Sequence, residues 1–315
     1  MSEIGLGTAA IGRPQYINIR QEEAAPFSLS NFRAKGRTVL DAAYELGIRY
    51  FDTAPGYGLA EQLMIEWLEA SAKPGLAVAT KWGYTYTANF DPNATQHEVK
   101  EHSVEKLNEQ WVKSAALMPW LRVYQIHSAT LESGVLDNET VLNQLAALKV
   151  EHGFAIGLTT SGVGQKEVIE KALAVEINGI MLFDAFQSTY NILDQGLADM
   201  LKVLKNDGKK IIIKEALANG RMFPNERYPH YKPLYDQLER ISQNYDVGID
   251  AVALRFCMDS VLPDVVLSGA ANVQHLAQNL KALDFKLNAE ELDTLYNYGV
   301  PTETYWTERK QLSWN

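Results

Sequence analysis

The sequence has one cysteine, Cys257, in 315 residues. A single thiol cannot form a disulfide within the chain, and reduced cysteine is typical of cytoplasmic proteins. The neighbours Leu254, Phe256 and Met258 are apolar, which predicts a buried helix and an inert thiol rather than a reactive one. We therefore expect a cytoplasmic protein that depends on its core, and not on cross-links, for stability.

The sequence also lacks an apolar run long enough to cross a membrane, and its first residues show no basic segment followed by an apolar one. Positive charge is scarce, since 29 Lys and Arg against 39 Asp and Glu leave a net charge of -10. Nucleic acid and anionic membranes both require a basic face on the protein. We expect neither as a partner, and a small anionic ligand would need a local positive site.

Metal and nucleophile motifs are missing as well. Apart from His127, the histidines lie in helical or loop stretches without the spacing of metal ligands. His97 and His102, five positions apart, do not share a helical face. No Gly-x-Ser-x-Gly elbow occurs, which weakens a serine hydrolase. The glycines of residues 5–12 do not form Gly-x-Gly-x-x-Gly, so the fingerprint of an open Rossmann sheet is absent. We predict no metal site.

Strand and helix patterns alternate along the whole sequence. This alternation favours an α/β fold, and the economical arrangement is a parallel (β/α)8 TIM barrel in which residues 1–315 form one domain. The predicted strands are 4–11, 49–54, 76–81, 121–127, 154–159, 179–187, 210–214 and 264–268. The predicted helices are 33–46, 60–71, 97–117, 139–150, 164–174, 196–207, 233–246, 250–259, 273–283 and 289–297.

Long loops are predicted on the face where the strands end. Residues 13–34 form an insertion, and the tail beyond residue 297 carries Tyr305, Trp306 and Trp314. Exposed aromatic rings are costly, so we expect the tail to fold over the barrel. The predicted walls of a substrate pocket are the loops 13–34, 82–96, 128–138 and 221–232 together with this tail.

Three consecutive predicted strands end near titratable residues. The first ends at Asp52 and is followed, past a Pro-Gly turn, by Tyr57, and the next two end at Lys81 and His127. Because isolated buried charge is expensive, a lysine or histidine that closes a buried strand must be paired or face solvent. Asp52 and Tyr57 alone could equally be a turn cap and a packed ring. Together the four residues indicate a catalytic cluster at one rim of the sheet.

The cluster belongs to a longer series of short motifs in the same order. These are Phe51-Asp52-Thr53-Ala54, Tyr57-Gly58, Glu61, Thr80-Lys81, Tyr124-Gln125-Ile126-His127, Gln187, Tyr190-Asn191, Gly269-Ala270 and Asn279. With this series the sequence resembles the aldo-keto reductase superfamily over nearly its whole length. The resemblance implies an NAD(P)-dependent oxidoreductase that acts on an aldehyde, ketone or sugar, or on the corresponding alcohol. Whether the protein is a monomer or a small homo-oligomer stays open.

The resemblance also implies roles for the four residues. Tyr57 would give a proton to the carbonyl oxygen, and as phenolate it would accept the alcohol proton in the reverse direction. Tyrosine has a pKa of about 10, and an adjacent Lys81 ammonium should lower it. Asp52 would keep Lys81 charged and in place. His127 would donate a hydrogen bond to the substrate oxygen as negative charge develops there.

Further residues match cofactor contacts of the superfamily. Gln187 matches the glutamine that holds the nicotinamide carboxamide, and Thr159 and Thr160 replace the commoner Ser-Asn pair. Lys214 stands where many relatives have a tyrosine that stacks on the ring; it either lends its aliphatic stem there or pairs with Glu215. Other cofactor-binding candidates are Leu217, Gly220, Arg221, Ser268, Gly269, Ala270, Gln274, Gln278 and Asn279.

The choice of nucleotide and the role of one arginine stay open. No Lys or Arg occurs between Ser268 and Asn279, where a 2′-phosphate would favour one, and His275 stands where many relatives have arginine or glutamine. NADP is the usual cofactor of the superfamily, and NAD becomes a serious alternative. Arg221 could serve the pyrophosphate or merely cap its own loop.

Two other functions fit the sequence less well. A nicotinamide-binding sensor or auxiliary subunit with slow catalysis would explain Lys214 and Thr160, which weaken expected cofactor contacts, although it has no need of all four catalytic residues. A barrel hydrolase or isomerase without a cofactor would bind neither nucleotide.

Overall fold

The computed structural model describes residues 2–14, 28–70, 72–91 and 93–313 of the chain. Its strands in chain order are β1 Glu3–Gly7, β2 Tyr50–Asp52, β3 Ala77–Trp82, β4 Tyr84–Tyr86, β5 Glu98–Lys100, β6 Leu121–Ala129, β7 Ala155–Thr160, β8 Glu176–Ile177, β9 Ile180–Met181, β10 Phe183–Thr189, β11 Lys210–Lys214 and β12 Val265–Ser268.

Eight of these strands are parallel and close into a barrel in the order β1-β12-β11-β10-β7-β6-β3-β2. The predicted fold is confirmed. The helices are α1 Ala9–Gly12, α2 Leu29–Glu45, α3 Ala60–Ala70, α4 Val104–Ser114, α5 Glu139–His152, α6 Gln165–Leu173, α7 Ala198–Asn206, α8 Lys232–Tyr245, α9 Ile249–Val261, α10 Val273–Leu280, α11 Ala289–Tyr296 and α12 Thr302–Lys310.

Strand periodicity decides which side chains enter the barrel. Successive residues of a strand point to opposite faces, so Phe51 packs toward the helices while Tyr50 points inside. The interior contains one apolar cluster of small and branched side chains plus one ring, namely Tyr50, Ala79, Val123, Ala185, Ile212, Val265 and Leu267. Two residues further along their strands, on the same face, come Asp52, Lys81, Gln125, Gln187 and Lys214. The polar residues therefore form a layer above an apolar floor.

Several predicted boundaries are wrong. The first strand ends at Gly7 rather than residue 11, because Ala9–Gly12 turns into a short helix. The predicted helix 97–117 begins only at Val104, where the Ser103 side chain accepts from the Lys106 amide. Residues 98–100 instead pair with β4 as an antiparallel hairpin.

The sixth barrel strand also starts later than predicted. Residues 176–181 form the small antiparallel pair β8 and β9, and β10 begins at Phe183. Short two-stranded ribbons carry little hydrophobic periodicity of their own, so pattern alone does not separate them from the strand that follows.

The tail covers the barrel as predicted, since Tyr305 and Trp306 of α12 are buried. Trp314 and residues 15–27 of the predicted insertion lie outside the described residues. Cys257 is buried on α9, its thiol donates to the Tyr190 carbonyl oxygen at 3.3 Å, and burial raises its pKa. Within the described ranges, no helix is both long and apolar enough to span a membrane.

Candidate active site

The four candidate catalytic residues meet at the carboxyl-terminal rim of β2, β3 and β6, which are neighbours in the barrel. Lys81 donates one hydrogen bond to the Asp52 carboxylate and another to the Thr53 carbonyl oxygen at 3.0 Å. The Lys81 Nζ lies 4.7 Å from the centroid of the Tyr57 ring. The His127 and Tyr57 ring centroids are 5.4 Å apart, edge to face.

Asp52 is the hub of this arrangement. Besides Lys81, its carboxylate accepts from the amides of Gln187, at 2.7 Å, and Gln125, at 3.3 Å. Asp52 and Lys81 are both buried, so the ion pair and the amide donors compensate the loss of hydration. The pair therefore holds the lysine in one position next to the phenol.

The pKa of Tyr57 is raised, not lowered. Burial and the negative charge of Asp52 raise it well above its usual value of 10, and Arg13 offsets only part of this shift. The expected net lowering of the Tyr57 pKa is therefore wrong for this arrangement, because burial and the Asp52 charge raise the pKa by more than nearby cations lower it. At neutral pH, Tyr57 carries a proton that it can donate.

His127 is neutral for a related reason. Burial, then the charges of Lys81 and Arg13, lower its pKa well below the usual value of 6.5. The ring packs against Tyr84 with centroids 4.6 Å apart. A neutral imidazole keeps one N–H that can donate to a substrate oxygen without placing another cation in the cluster.

One cavity connects this cluster to the opposite side of the barrel. It is lined by Arg13, Tyr57, Glu98, His127, Ser128, Thr159, Ser161, Gln187, Lys214, Glu215 and Arg309. The predicted walls 13–34 and 128–138 and the tail each contribute a lining residue, whereas the predicted walls 82–96 and 221–232 contribute none to this set. The charged residues Arg13, Glu98 and Arg309 were not expected. They reach the cavity from the loop after α1, from β5 and from α12, and only the predicted position of those segments could have indicated them.

The cofactor candidates lie on the adjoining arc of the barrel. They lie at the ends of β7, β10, β11 and β12 or in the segments that follow, and these four strands are consecutive in the barrel order. Thr159 lines the cavity, and its hydroxyl accepts from the Ser128 amide at 2.7 Å. Thr160 is fully buried and its hydroxyl donates to Gln165 or Ser188, so it is absent from the cavity lining described above.

Gln187 and Arg221 are engaged within the protein. The Gln187 amide nitrogen donates to Asp52, and its side chain also borders the cavity. Arg221 is fully buried and donates to the Ala218 carbonyl oxygen, the Tyr305 carbonyl oxygen and the Glu308 carboxylate, at 3.0, 3.1 and 3.0 Å. These contacts match the loop-capping alternative for Arg221. Leu217 and Gly220 flank the same tight turn, which includes Asn219 in the left-handed region.

The segment after β12 borders open space. A Cβ on Gly269 would meet no atom within 4 Å, so the backbone between Ser268 and Ala270 can be approached closely. Gln274 and Gln278 are exposed on α10, while Asn279 is buried with its amide 2.8 Å from the Ser268 hydroxyl. The polar side chains near the cavity suit a carboxamide. The open backbone after β12, at the start of α10, suits a phosphate.

The family model described as "Aldo/keto reductase family" matches residues 3–298. The chain is 24% identical over 273 residues to D-threo-aldose 1-dehydrogenase of a Pseudomonas species, which covers 76% of this chain and 80% of the relative. It is 27% identical over 258 residues to L-galactose dehydrogenase of Arabidopsis thaliana, covering 76% and 75%. These relatives are named as oxidoreductases.

Solved structures show the same fold. A holo-form aldo-keto reductase from Bacillus halodurans matches with a TM-score of 0.69 and 20% identity, covering 96% of this chain and 95% of that one. Glycerol dehydrogenase from Gluconobacter oxydans matches with a TM-score of 0.69 and 18% identity, covering 94% and 90%.

Proposed function

Since the chain belongs to the aldo/keto reductase family, we propose that it transfers a hydride between a nicotinamide nucleotide and the carbonyl group of a small aldehyde, ketone or sugar. The observation that carries this proposal is the meeting of Tyr57 and His127 at one cavity, with the buried Lys81–Asp52 pair directly behind Tyr57. The nucleotide supplies the hydride, and the chain's own residues orient the carbonyl and handle the proton.

Tyr57 is the proton donor in this proposal. With a pKa above its usual value of 10, the hydroxyl is protonated at neutral pH and has a proton to donate to a carbonyl oxygen. Lys81 and His127 favour the negative charge that develops on the substrate oxygen, Lys81 through its charge and His127 through a hydrogen bond. Asp52 is a positioning residue that acts through Lys81.

Thr159, Ser161 and Gln187 are the side chains that would hold the nicotinamide carboxamide, and the backbone after β12 would lie beside the adenosine phosphates. NAD suits this chain better than NADP. The Asp250 carboxylate is 2.5 Å from the Asn279 amide, so a 2′-phosphate there would meet negative charge.

Substitution of Tyr57 by phenylalanine tests the proposal. Loss of the hydroxyl removes the proton donor, so carbonyl reduction should fall by about a hundredfold or more. The ring and its packing remain, so nucleotide affinity measured by fluorescence quenching should stay unchanged. The same titration should show tighter binding of NADH than of NADPH. Equal turnover by Tyr57→Phe would reject the assignment of Tyr57.

A nicotinamide sensor or auxiliary subunit with slow turnover is the second candidate. It is favoured by the contacts that Gln187 and Arg221 make with Asp52 and Glu308, which occupy two of the expected cofactor ligands. Tight nucleotide binding without measurable turnover on a broad carbonyl and polyol panel would support this candidate over the enzyme.

A further inference from the structure

Lys214 ends β11 and faces the cavity that also contains Tyr57 and His127. Its Nζ donates to the hydroxyls of Thr189, at 2.8 Å, and Ser161, at 3.2 Å. Both partners are neutral. The nearest carboxylate, Glu215, lies 3.9 Å away.

That carboxylate is already committed to another cation. Arg309 binds Glu215 with two nitrogens, Nε at 2.9 Å and Nη2 at 2.5 Å. Arg13 and Glu98, the other charged pair in the lining, neutralise one another at 2.7 Å. Among the described residues of the lining there are three cations and two carboxylates, and the surplus positive charge of this set belongs to the group that Lys214 and Arg309 form around Glu215.

The location of this surplus charge matters for the hydride donor. A carbonyl oxygen held by Tyr57 and His127 leaves its carbon in the same cavity, so a nicotinamide ring that reaches the carbon must enter the space that Lys214 borders. The reduced ring is uncharged, whereas the oxidised ring carries a positive charge. Like charges in a cavity screened poorly by water repel each other strongly.

We infer that Lys214 acts as a redox-state discriminator, whose ammonium group weakens binding of the oxidised nicotinamide nucleotide relative to the reduced one. This inference rests on the proposed function and adds a direction to it. A protein built in this way takes up reduced nucleotide and releases oxidised nucleotide readily, so it serves carbonyl reduction.

The discrimination should depend on pH. Burial lowers the pKa of Lys214 to about 8, with Arg309 and Lys81 lowering it and Glu215 and Asp194 raising it. Below this pH the ammonium repels the oxidised ring, and above it the neutral amine does not. His127 also faces Lys214, but its pKa is far below this range, and that of Tyr57 is far above it.

The test is a set of binding titrations with NAD⁺ and NADH, and with the NADP pair, on the full chain near pH 6.5 and pH 9.5. For the native protein, the ratio of the Kd for oxidised to that for reduced nucleotide should fall by about tenfold or more between these pH values. Lys214→Met should give a low ratio at both. Lys214→Arg, which keeps its charge, should give a high ratio at both.

ADP-ribose is the control ligand because it lacks the nicotinamide ring, and its Kd should be the same for all three proteins. A pH-independent ratio in the native protein, or a native ratio in Lys214→Met at the lower pH, would overturn the inference while leaving the proposed function intact. Failure to bind either nucleotide would overturn both.

Discussion

Glu61 lies on α3, directly behind the strand that carries Lys81. Its carboxylate accepts from the hydroxyls of Thr80 and, at 2.9 Å, Ser114, and the residue is buried. Burial raises its pKa from 4.5 to about 7, even though both hydroxyls and the charges of Lys81 and Lys113 act to lower it. The folded protein therefore holds a proton on Glu61 more tightly than the unfolded chain does.

Glu61→Gln should consequently stabilise the protein at alkaline pH. The stability due to the raised pKa is fully present below about pH 4.5 and is lost as pH rises through about 7, a span worth about 3 kcal/mol. The neutral amide does not incur that loss. Urea unfolding at pH 5 and pH 8.5 should show a gain for the variant only at the higher pH. A gain of equal size at both values would rule out titration of Glu61 as the cause.

Some site residues could be predicted from the sequence, and others could not. Asp52, Lys81 and His127 end strands whose apolar pattern is local, so their place at one rim follows from the barrel itself. Arg13, Glu98 and Arg309 reach the cavity through the packing of a loop, the β4–β5 hairpin and the tail, which no short pattern encodes. The pKa of Tyr57 could not be inferred from Lys81 alone, because it depends on burial and on the Asp52 partner.

At the scale of elements, α12 is attached to the loop after β11 by charge as well as by packing. Arg309 binds Glu215, Arg221 binds Glu308, and Tyr305 and Trp306 are buried between them. Burial by itself would raise the pKa of Glu215, but Arg309 and Lys214 bring it down to about 2. The helix therefore closes one side of the cavity that contains Lys214.

Arg309→Met should destabilise the protein substantially because it leaves the Glu215 carboxylate buried without its bidentate partner. We expect a loss of about 3 kcal/mol in urea unfolding, and partial recovery in the double variant with Glu215→Gln. Lys232→Met provides the control, since the Lys232–Asp236 pair on α8 is exposed and should contribute under about 1 kcal/mol. Equal losses of unfolding free energy for Arg309→Met and Lys232→Met would show that the buried pair stabilises the protein no more than the exposed pair does.

Elements with their own periodicity were predictable, and elements defined by pairing were not. β11 has its predicted bounds because Ile211, Ile212 and Ile213 form a compact apolar run between two lysines. The hairpin of β4 and β5 joins residues 84–86 to 98–100, so it depends on a contact across the loop between them. The helical pattern of the residues that follow led to residues 98–100 being predicted as helix.

At the scale of the whole molecule, the barrel order places the candidate catalytic residues and the cofactor candidates on two different sets of neighbouring strands. The strands that carry the four candidate catalytic residues, β2, β3 and β6, are contiguous, and so are the strands β7, β10, β11 and β12 that carry the cofactor candidates. The cavity lies where the two arcs face each other. Alternation of strand and helix was enough to predict this closed order, because parallel strands joined by helices have few other ways to cover both faces.

Isotope labelling tests most directly whether the protein transfers a hydride from a nicotinamide nucleotide to a carbonyl carbon. The full chain is incubated with an aldehyde and with NADH or NADPH that carries deuterium on the transferring face of C4, each face being tested in turn, and the alcohol product is analysed by mass spectrometry. We expect one deuterium on the former carbonyl carbon from one face only, with none transferred by Tyr57→Phe in the same time. Alcohol formed without deuterium from either face would contradict the proposed hydride transfer.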